Sequence, residues 1–478
     1  MEFPHDIPIA HQKLLKEISL QANQLGQDIF LVGGYVRDFY LNRVQKEVDM
    51  DVVTLGSGIN LAKKVHQSLR RKGMKTSFSL FKQFGTAQVK TPSVELEFIG
   101  ARKESYRYDS RKPLVEDGTL EDDQNRRDFT INSLYWDLNK DRLGVLNDPF
   151  GGLTDLKKGL IRTPIEPIKT FSDDPLRMMR AVRFASQLDF ELCPKTKKAI
   201  QKMASRLEIV SKERILDELN KILKSPIPSV GFALLFTTGL LAQFFPEMVA
   251  LHGIKERNGL RHKDNFWHTL QVLDNVASVS DSLWLRWAAI MHDIAKPPTQ
   301  RFDDGHGWTF HGHDALGAKW VPRIFRRIGL PMGERMRYVQ NLVRLHLRPI
   351  ALVSDHVSDS AVRRLIFEAD NDIEDLMILC RADITSKNEF KVRKFMMNFE
   401  RVEKKIIEVE EKDRIRNWKN PLTGYEIMKA LDIPPSKQIG IIKDNIKEAI
   451  LNGDIPNEYS AAFSYMINHH QDWIGQEA

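Results

Sequence analysis

The chain has 478 residues, which at ordinary domain sizes suggests about three domains. Hydrophobic residues make up 42% and charged residues 28%, which excludes a mainly disordered, collagen-like or membrane-embedded chain. Lys and Arg number 71 against 64 Asp and Glu; the resulting +7 charge, with a pI near 9.1, permits a polyanionic partner without requiring one.

Two cysteines, Cys193 and Cys380, cannot build a disulfide framework, so a reducing cytoplasm is expected. The opening MEFPHDIPIA has no basic head before an apolar run, so no secretory signal is expected. The uncharged stretch Ser225 to Pro246 carries prolines, serine and threonines, and it suits a buried helical hairpin better than a membrane span.

Residues 12–25 read as an amphipathic helix with Leu14, Leu15, Ile18 and Leu25 on one face. Strands are expected at Ile29 to Val32, Val48 to Thr54, Thr86 to Val89 and Val94 to Ile99. Strands alternating with helices up to about residue 150 suggest an α/β or α+β head, the latter with a mixed sheet. Beyond about residue 173 the periodic segments are helical: Leu176 to Phe184, Lys195 to Ala204, Glu213 to Leu223 and Phe232 to Phe244. The expected division is a head at 1–160, a helical neck and body at 161–260, a helical block at 261–400 and a helical tail at 401–478. The charge run Glu400 to Arg416 reads as a solvated helix face.

The first chemical cluster lies in the head. Gly33-Gly34 sits between a strand and a helix start, where backbone N–H groups can approach an anion, and Arg37 adds a cation. Asp49-Met50-Asp51 lies in a strand, so both carboxylates point to one face. Such a pair suits Mg²⁺ shared with substrate phosphates; the bland reading is an exposed strand edge. Arg126-Arg127-Asp128 and Asn132 offer groups for phosphates and a ribose. Asp174 and Arg177 share one helical face and can read the polar edge of a base, or simply cap and brace their own helix.

LVGGYVRD at 31–38 with DMD at 49–51, RRDFTIN at 126–132, DPFGGLTDL at 148–156 and DDPLRMMRAVRFA at 173–185 resemble the class II tRNA nucleotidyltransferases (CCA-adding enzymes) and the related bacterial poly(A) polymerases. SKERILDEL at 211–219 matches as well, and 102–119, with Glu104, Tyr106, Ser110, Arg111 and Pro113, is similar to the family's flexible loop region. The resemblance implies a polymerase β-like head that extends the tRNA 3′ acceptor end from CTP and ATP, with Asp49 and Asp51 binding catalytic Mg²⁺. It implies triphosphate contacts from Gly33, Gly34 and Arg37. Arg127, Asp128 and Asn132 would hold phosphates and sugar, with Arg180 also at the nucleotide. Asp174 and Arg177 would pair with the incoming base, and Asp148 to Gly152 would be a hinge. Glu95 or Glu97 would supply a third carboxylate. Asp173 stands where the family often has Glu, and Ser133 where it usually has Ala.

The second cluster is His268, His292-Asp293, His313, His346 and Asp383, a set of imidazole and carboxylate groups suited to a divalent metal of unspecified identity. This pattern resembles the HD superfamily of metal-dependent phosphohydrolases, with His313 and His346 similar to the extra histidines of two-metal members. Arg180, Arg183, Lys195, Lys197, Lys198, Lys202, Arg206 and Lys212 are candidate tRNA phosphate contacts. Three functions stay open: CCA addition with an HD appendage; poly(A), CC-only or A-only addition by the same site; or a metal-dependent phosphohydrolase with an RNA-binding head. The oligomeric state is open too, and no membrane partner is expected.

Overall fold

The structure is a computed structural model describing residues 6–44, 48–81, 85–107, 110–352, 358–385, 388–413 and 419–474; the side chains of 104–107, 110–115, 389, 391, 412, 413 and 474 are not described. Glu104, Tyr106, Ser110, Arg111 and Pro113 therefore lie outside the described side chains. The chain forms two compact units, Met1–Phe245 and Pro246–Ala478.

The first unit opens with the helix Ile9–Gln24, which buries Leu14, Leu15, Ile18 and Ala22; Leu25 is its half-buried cap. Among the described residues nine strands follow before residue 150: β1 Ile29–Val32, β2 Val48–Thr54, β3 Ser77–Phe81, β4 Thr86–Lys90, β5 Val94–Gly100, β6 Arg102–Arg107, β7 Ser110–Asp117, β8 Tyr135–Asp137 and β9 Leu146–Asn147. Seven make one mixed sheet in the order β3-β4-β5-β2-β1-β8-β9, and β6 and β7 form a separate hairpin. The β2–β5 pair is parallel, which requires a crossover connection. That connection includes the helix Gly58–Arg71, capped by Ser57, whose side chain accepts from the Asn60 N–H at 3.3 Å. Its Leu61, Ala62, Val65 and Leu69 face the core at helical spacing.

Three sheet strands escape sequence periodicity. β3 is an exposed edge strand, β8 has only three residues, all buried against β1, and β9 has only two. Helices then run at Pro167–Asp173, Leu176–Leu188, Pro194–Met203, Lys212–Leu223, Pro228–Thr237 and Leu240–Phe244. The single helix expected over 232–244 is broken at Thr238 and Gly239. Gly239 has φ +79°, and the Thr238 hydroxyl donates to Leu234 O at 2.6 Å, which ends the first helix.

The second unit is helical, with small hairpins at 256–261 and 301–309. Residues 400–413 of the charge run fall on the helix Glu389–Asp413, whose Phe399, Val402, Ile406 and Val409 are buried, and 414–416 lie outside the described residues. The final helices, Gly424–Leu431, Lys437–Asn452 and Tyr459–Ile474, enclose a core of Leu422, Ile427, Ile442, Ile446, Ile450, Ala462 and Met466. Among the described residues no helix is long and apolar enough to cross a membrane.

Candidate active site and metal centre

Sheet register builds the head site. Asp49 pairs with Glu95 and Asp51 with Glu97 across β2–β5, so all four carboxylates share one face. The antiparallel neighbour places Val32 beside Asp51, so the chain turns at Gly33 directly over that carboxylate. Gly33 has φ +78°, and a Cβ there would lie 3.2 Å from Asp51 Oδ2 and 3.6 Å from Arg127 Nη1. A cavity of about 480 Å³ opens here. It is lined by Gly33, Gly34, Arg37, Asp49, Asp51, Arg127, Asp128, Asn132 and Arg180 among the expected residues, with Glu95 and Glu97. Asp174 and Arg177 stand outside that lining.

Each arginine in the cavity leans on its own acid. Arg37 donates to Asp38 at 2.8 and 3.0 Å and to Asn132 Oδ1 at 2.9 Å. Arg127 donates to Asp123 at 3.0 and 3.2 Å and to the Tyr135 hydroxyl at 2.8 Å, so its Nη1 is left for the cavity. Arg180 pairs with Asp128 and Arg183 with Glu218, at 2.6 and 3.0 Å. The Phe184 ring carries three guanidiniums, from Arg183, Arg37 and Arg180, at 4.2, 5.2 and 5.4 Å. Burial pushes the Asp128 carboxyl up, but Arg180 and the Asn132 hydrogen bond outweigh it and hold it at about 2.

The carboxylates differ in their company. Glu95 pairs with Lys90 at 3.4 Å and accepts from Gln88. Among the described residues, Asp49, Asp51 and Glu97 take part in no salt bridge. Burial pushes Glu97 up, and Asp51 adds to it; burial also raises Asp51, with Arg127 opposing and Asp49 adding. Converging acids that burial and mutual repulsion drive toward protonation are the donor set a hard divalent cation satisfies. The HD cluster passes a similar test, because His292 Nε2 is buried without a hydrogen-bond partner.

Arg177 is buried and donates to Arg126 O at 2.6 Å, and Asp174 accepts from Leu176 N at 3.1 Å. Asp174 thus caps its own helix, whereas Arg177 reaches across to Arg126 O rather than bracing its helix, so the plainer reading is met only for Asp174. Asp148 accepts from Gly152 N and Leu153 N at 2.6 and 3.0 Å and so caps the helix Gly152–Lys158. Ser133, the departure from the family pattern, is buried and donates to Phe129 O at 2.9 Å. Of the expected tRNA contacts, Lys195, Lys198, Lys202 and Lys212 are exposed, whereas Arg183 lines the cavity and Arg206 donates to Ser172 O at 3.2 Å.

In the second unit the six expected ligands gather into two groups, His268/His292/Asp383 and Asp293/His313/His346. Asp293 joins them. Its Oδ2 lies 3.4 and 3.2 Å from the Nε2 atoms of His268 and His292, and its Oδ1 lies 3.3 and 3.8 Å from those of His313 and His346. Asp383 Oδ1 is 2.8 Å from His268 Nε2. The Nδ1 atoms of His292, His313 and His346 face the Ala289, Phe310 and Val343 carbonyls at 2.7, 2.6 and 2.7 Å. Those carbonyls fix Nδ1 as the donor and turn each Nε2 inward as a ligand. Burial disfavours a charged His292, but Asp293 and Asp383 outweigh it and carry its pKa up to about 10, a proton that metal ligation displaces. Sequence reasoning missed Lys296, which pairs with Asp293, and Thr385, which holds His268 Nδ1 at 2.8 Å. The signal for Lys296 was its place three residues after Asp293, on the same helical side. His311 is exposed and outside both groups.

The fold and the carboxylate row define a nucleotidyltransferase head, accompanied by a histidine-aspartate cluster of the HD type. Residues 29–162 match the poly A polymerase head domain, 189–251 the probable RNA and SrmB-binding site of polymerase A, and 265–388 the HD domain. The chain is 33% identical over 349 residues to an A-adding tRNA nucleotidyltransferase of Deinococcus radiodurans, covering 70% of this chain and 76% of that protein. It is 31% identical over 383 residues to a multifunctional CCA protein of Nitrosococcus oceani, covering 77% and 87%. The fold is similar to that of the Bacillus stearothermophilus CCA-adding enzyme solved with CTP, with TM-score 0.67, 24% identity and coverage of 98% and 99%. The chain belongs to the tRNA nucleotidyltransferase and poly(A) polymerase family, in the form that carries an HD domain.

Proposed function

We propose that this protein adds CCA to the 3′ end of tRNA, using CTP and ATP and releasing pyrophosphate. The observation that carries this reading is the row of Asp49, Asp51 and Glu97 facing Gly33 and the free edge of Arg127. Multifunctional CCA proteins among the relatives support the product. In the reaction the terminal 3′-oxygen forms a bond to the α-phosphorus, the bond to pyrophosphate breaks, and the hydroxyl proton leaves. Asp49 and Asp51 hold Mg²⁺, with Glu97 as the third carboxylate because Glu95 is engaged by Lys90 and Gln88. Bound Mg²⁺ supplies charge neutralisation and activation of the attacking hydroxyl. Gly33 and Gly34 let the triphosphate approach closely, and Arg37, Arg127 and Arg180 orient it. Asp128 and Asn132 meet the sugar. Asp174 and Arg177 read the base, and the Asp148 to Gly152 cap is the hinge by which the reader changes between CTP and ATP.

The HD centre is proposed as a phosphohydrolase for nucleotide or RNA-end phosphates, loaded with a divalent metal through His268, His292, Asp293 and Asp383, then His313 and His346. The working division is head 1–160, neck and body 161–260, HD block 261–400 and tail 401–478, in the cytoplasm.

A second reading, addition of the terminal A alone, is favoured by the Deinococcus radiodurans relative. The deciding experiment gives the protein tRNAs ending before CCA, before CA and before A, with CTP and ATP separately and together, and sequences the 3′ ends. Full CCA on the shortest tRNA supports the first reading. No use of CTP supports the second, and a long A tail would replace both with poly(A) synthesis.

A further inference from the structure

A second cavity of about 390 Å³ lies beside the first, and the two share the Glu97 and Arg127 walls. Its floor follows from sheet register. Phe81 pairs with Thr86 across β3–β4, and Thr86 pairs with Ile99 across β4–β5. Ile99 is two residues beyond Glu97, so this apolar row lies on the same sheet face, one step from the carboxylates. Arg102 adds positive charge to the lining, which Arg126, paired with Asp123, completes. Phe81 is 43% exposed on an edge strand, an apolar ring open to water next to an active site.

We propose that this cavity receives the terminal nucleotide of the tRNA that is being extended, with its base stacked on Phe81 and its 5′ phosphodiester held by Arg102. The inference rests on the nucleotidyltransferase reading above. In-line displacement brings the 3′-hydroxyl to the α-phosphorus on the side away from the leaving pyrophosphate. With the triphosphate at Gly33, Gly34 and Arg37, the nucleophile comes from across the carboxylates, where this cavity opens. Its chemistry matches the occupant. The terminal base is the tRNA's own last residue in the first addition cycle and C in the next two, while the site stays the same, so hydrogen-bond readout of C would stall the first step on tRNAs that end otherwise. An aromatic face with a phosphate-binding guanidinium is tolerant of sequence, because every base has a π-face and every linkage has a charge.

The experiment measures KM for tRNA, kcat and KM for nucleotide in the wild type, Phe81→Ala, Phe81→Trp, Arg102→Ala and Arg102→Lys, using tRNAs that end before CCA in each of the four bases. Loss of a stacking platform is expected to raise the tRNA KM about tenfold for all four ends, with nucleotide KM and melting midpoint unchanged and Phe81→Trp restored. A methylphosphonate in the last linkage should weaken wild type and Arg102→Lys but leave Arg102→Ala no worse. The proposal is overturned if both alanine variants keep the wild-type tRNA KM, if they lose nucleotide affinity equally, or if the loss tracks one terminal base. If wild-type protein extends no tRNA at all, the nucleotidyltransferase reading itself falls, a result distinct from an active wild type with unaffected variants.

Discussion

Replacing Gly33 by alanine tests how tightly the head site is drawn around one carboxylate. The backbone there has φ +78° and ψ −134°, a region nearly closed to residues with a Cβ, so strain costs about 1–3 kcal/mol. The new Cβ would meet Asp51 Oδ2 at 3.2 Å, which asks the carboxylate to give by a few tenths of an ångström. Strain of about 2 kcal/mol should lower the melting midpoint of a domain this size by about 4–8 °C, leaving the protein folded at assay temperature. The chemical effect should be much larger, since small misplacements of reacting groups cost on the order of a hundredfold in rate. Gly33→Ala should therefore lose about two orders of magnitude in kcat for nucleotide addition while its circular dichroism stays native. A folded variant adding nucleotides within about threefold of wild type, against that hundredfold expectation, would refute the placement of the reacting phosphate between Gly33, Asp51 and Arg127.

Asp49→Ala and Asp51→Ala should each abolish measurable extension of tRNA, and Glu97→Gln should reduce it far more than Glu95→Gln; equal effects in the last pair would remove Glu97 from the metal site. His292→Ala with Asp293→Ala should eliminate tightly bound divalent metal, read by elemental analysis, and with it any phosphomonoester or 2′,3′-cyclic phosphodiester hydrolysis; unchanged hydrolysis would place that activity elsewhere. Asp128 has its carboxyl depressed from 3.8 to about 2, so its pairing stabilises the fold above about pH 4 and that contribution disappears as pH falls through about 2. Arg180→Met should therefore move the acid-unfolding midpoint of the first unit upward, and an unshifted midpoint would show that the pair contributes nothing.

The head was legible where chemistry and periodicity coincide. Val48 to Thr54 alternates acids with apolar residues, so its strand and its convergent carboxylates could be read together. β3, β8 and β9 were not, because an exposed edge strand has no buried face to announce it and strands of three and two residues are too short to show a period. The choice between Glu95 and Glu97 depended on Lys90 and Gln88, neighbours that only strand pairing supplies. The HD ligands were readable because His and Asp are rare together in apolar helices. Lys296 and Thr385 went unnoticed, since their residue types are ordinary at the surface. The pairing of Arg183 with Glu218 was not legible, because a helix of arginines does not reveal which one meets a buried acid.

The acids behind the cavity arginines have an electrostatic consequence. Arg37 and Arg180 pair with Asp38 and Asp128, Arg126 and Arg127 share Asp123, Arg183 pairs with Glu218, and Asp49, Asp51 and Glu97 of the β2–β5 row come in addition. A pocket rich in arginine is thus not an electropositive trap. A bare polyphosphate approaching it meets surplus negative charge, and only a nucleotide escorted by cations arrives without repulsion. The same pairing keeps the guanidiniums rigid between turnovers, so little side-chain order remains to be imposed when substrate enters.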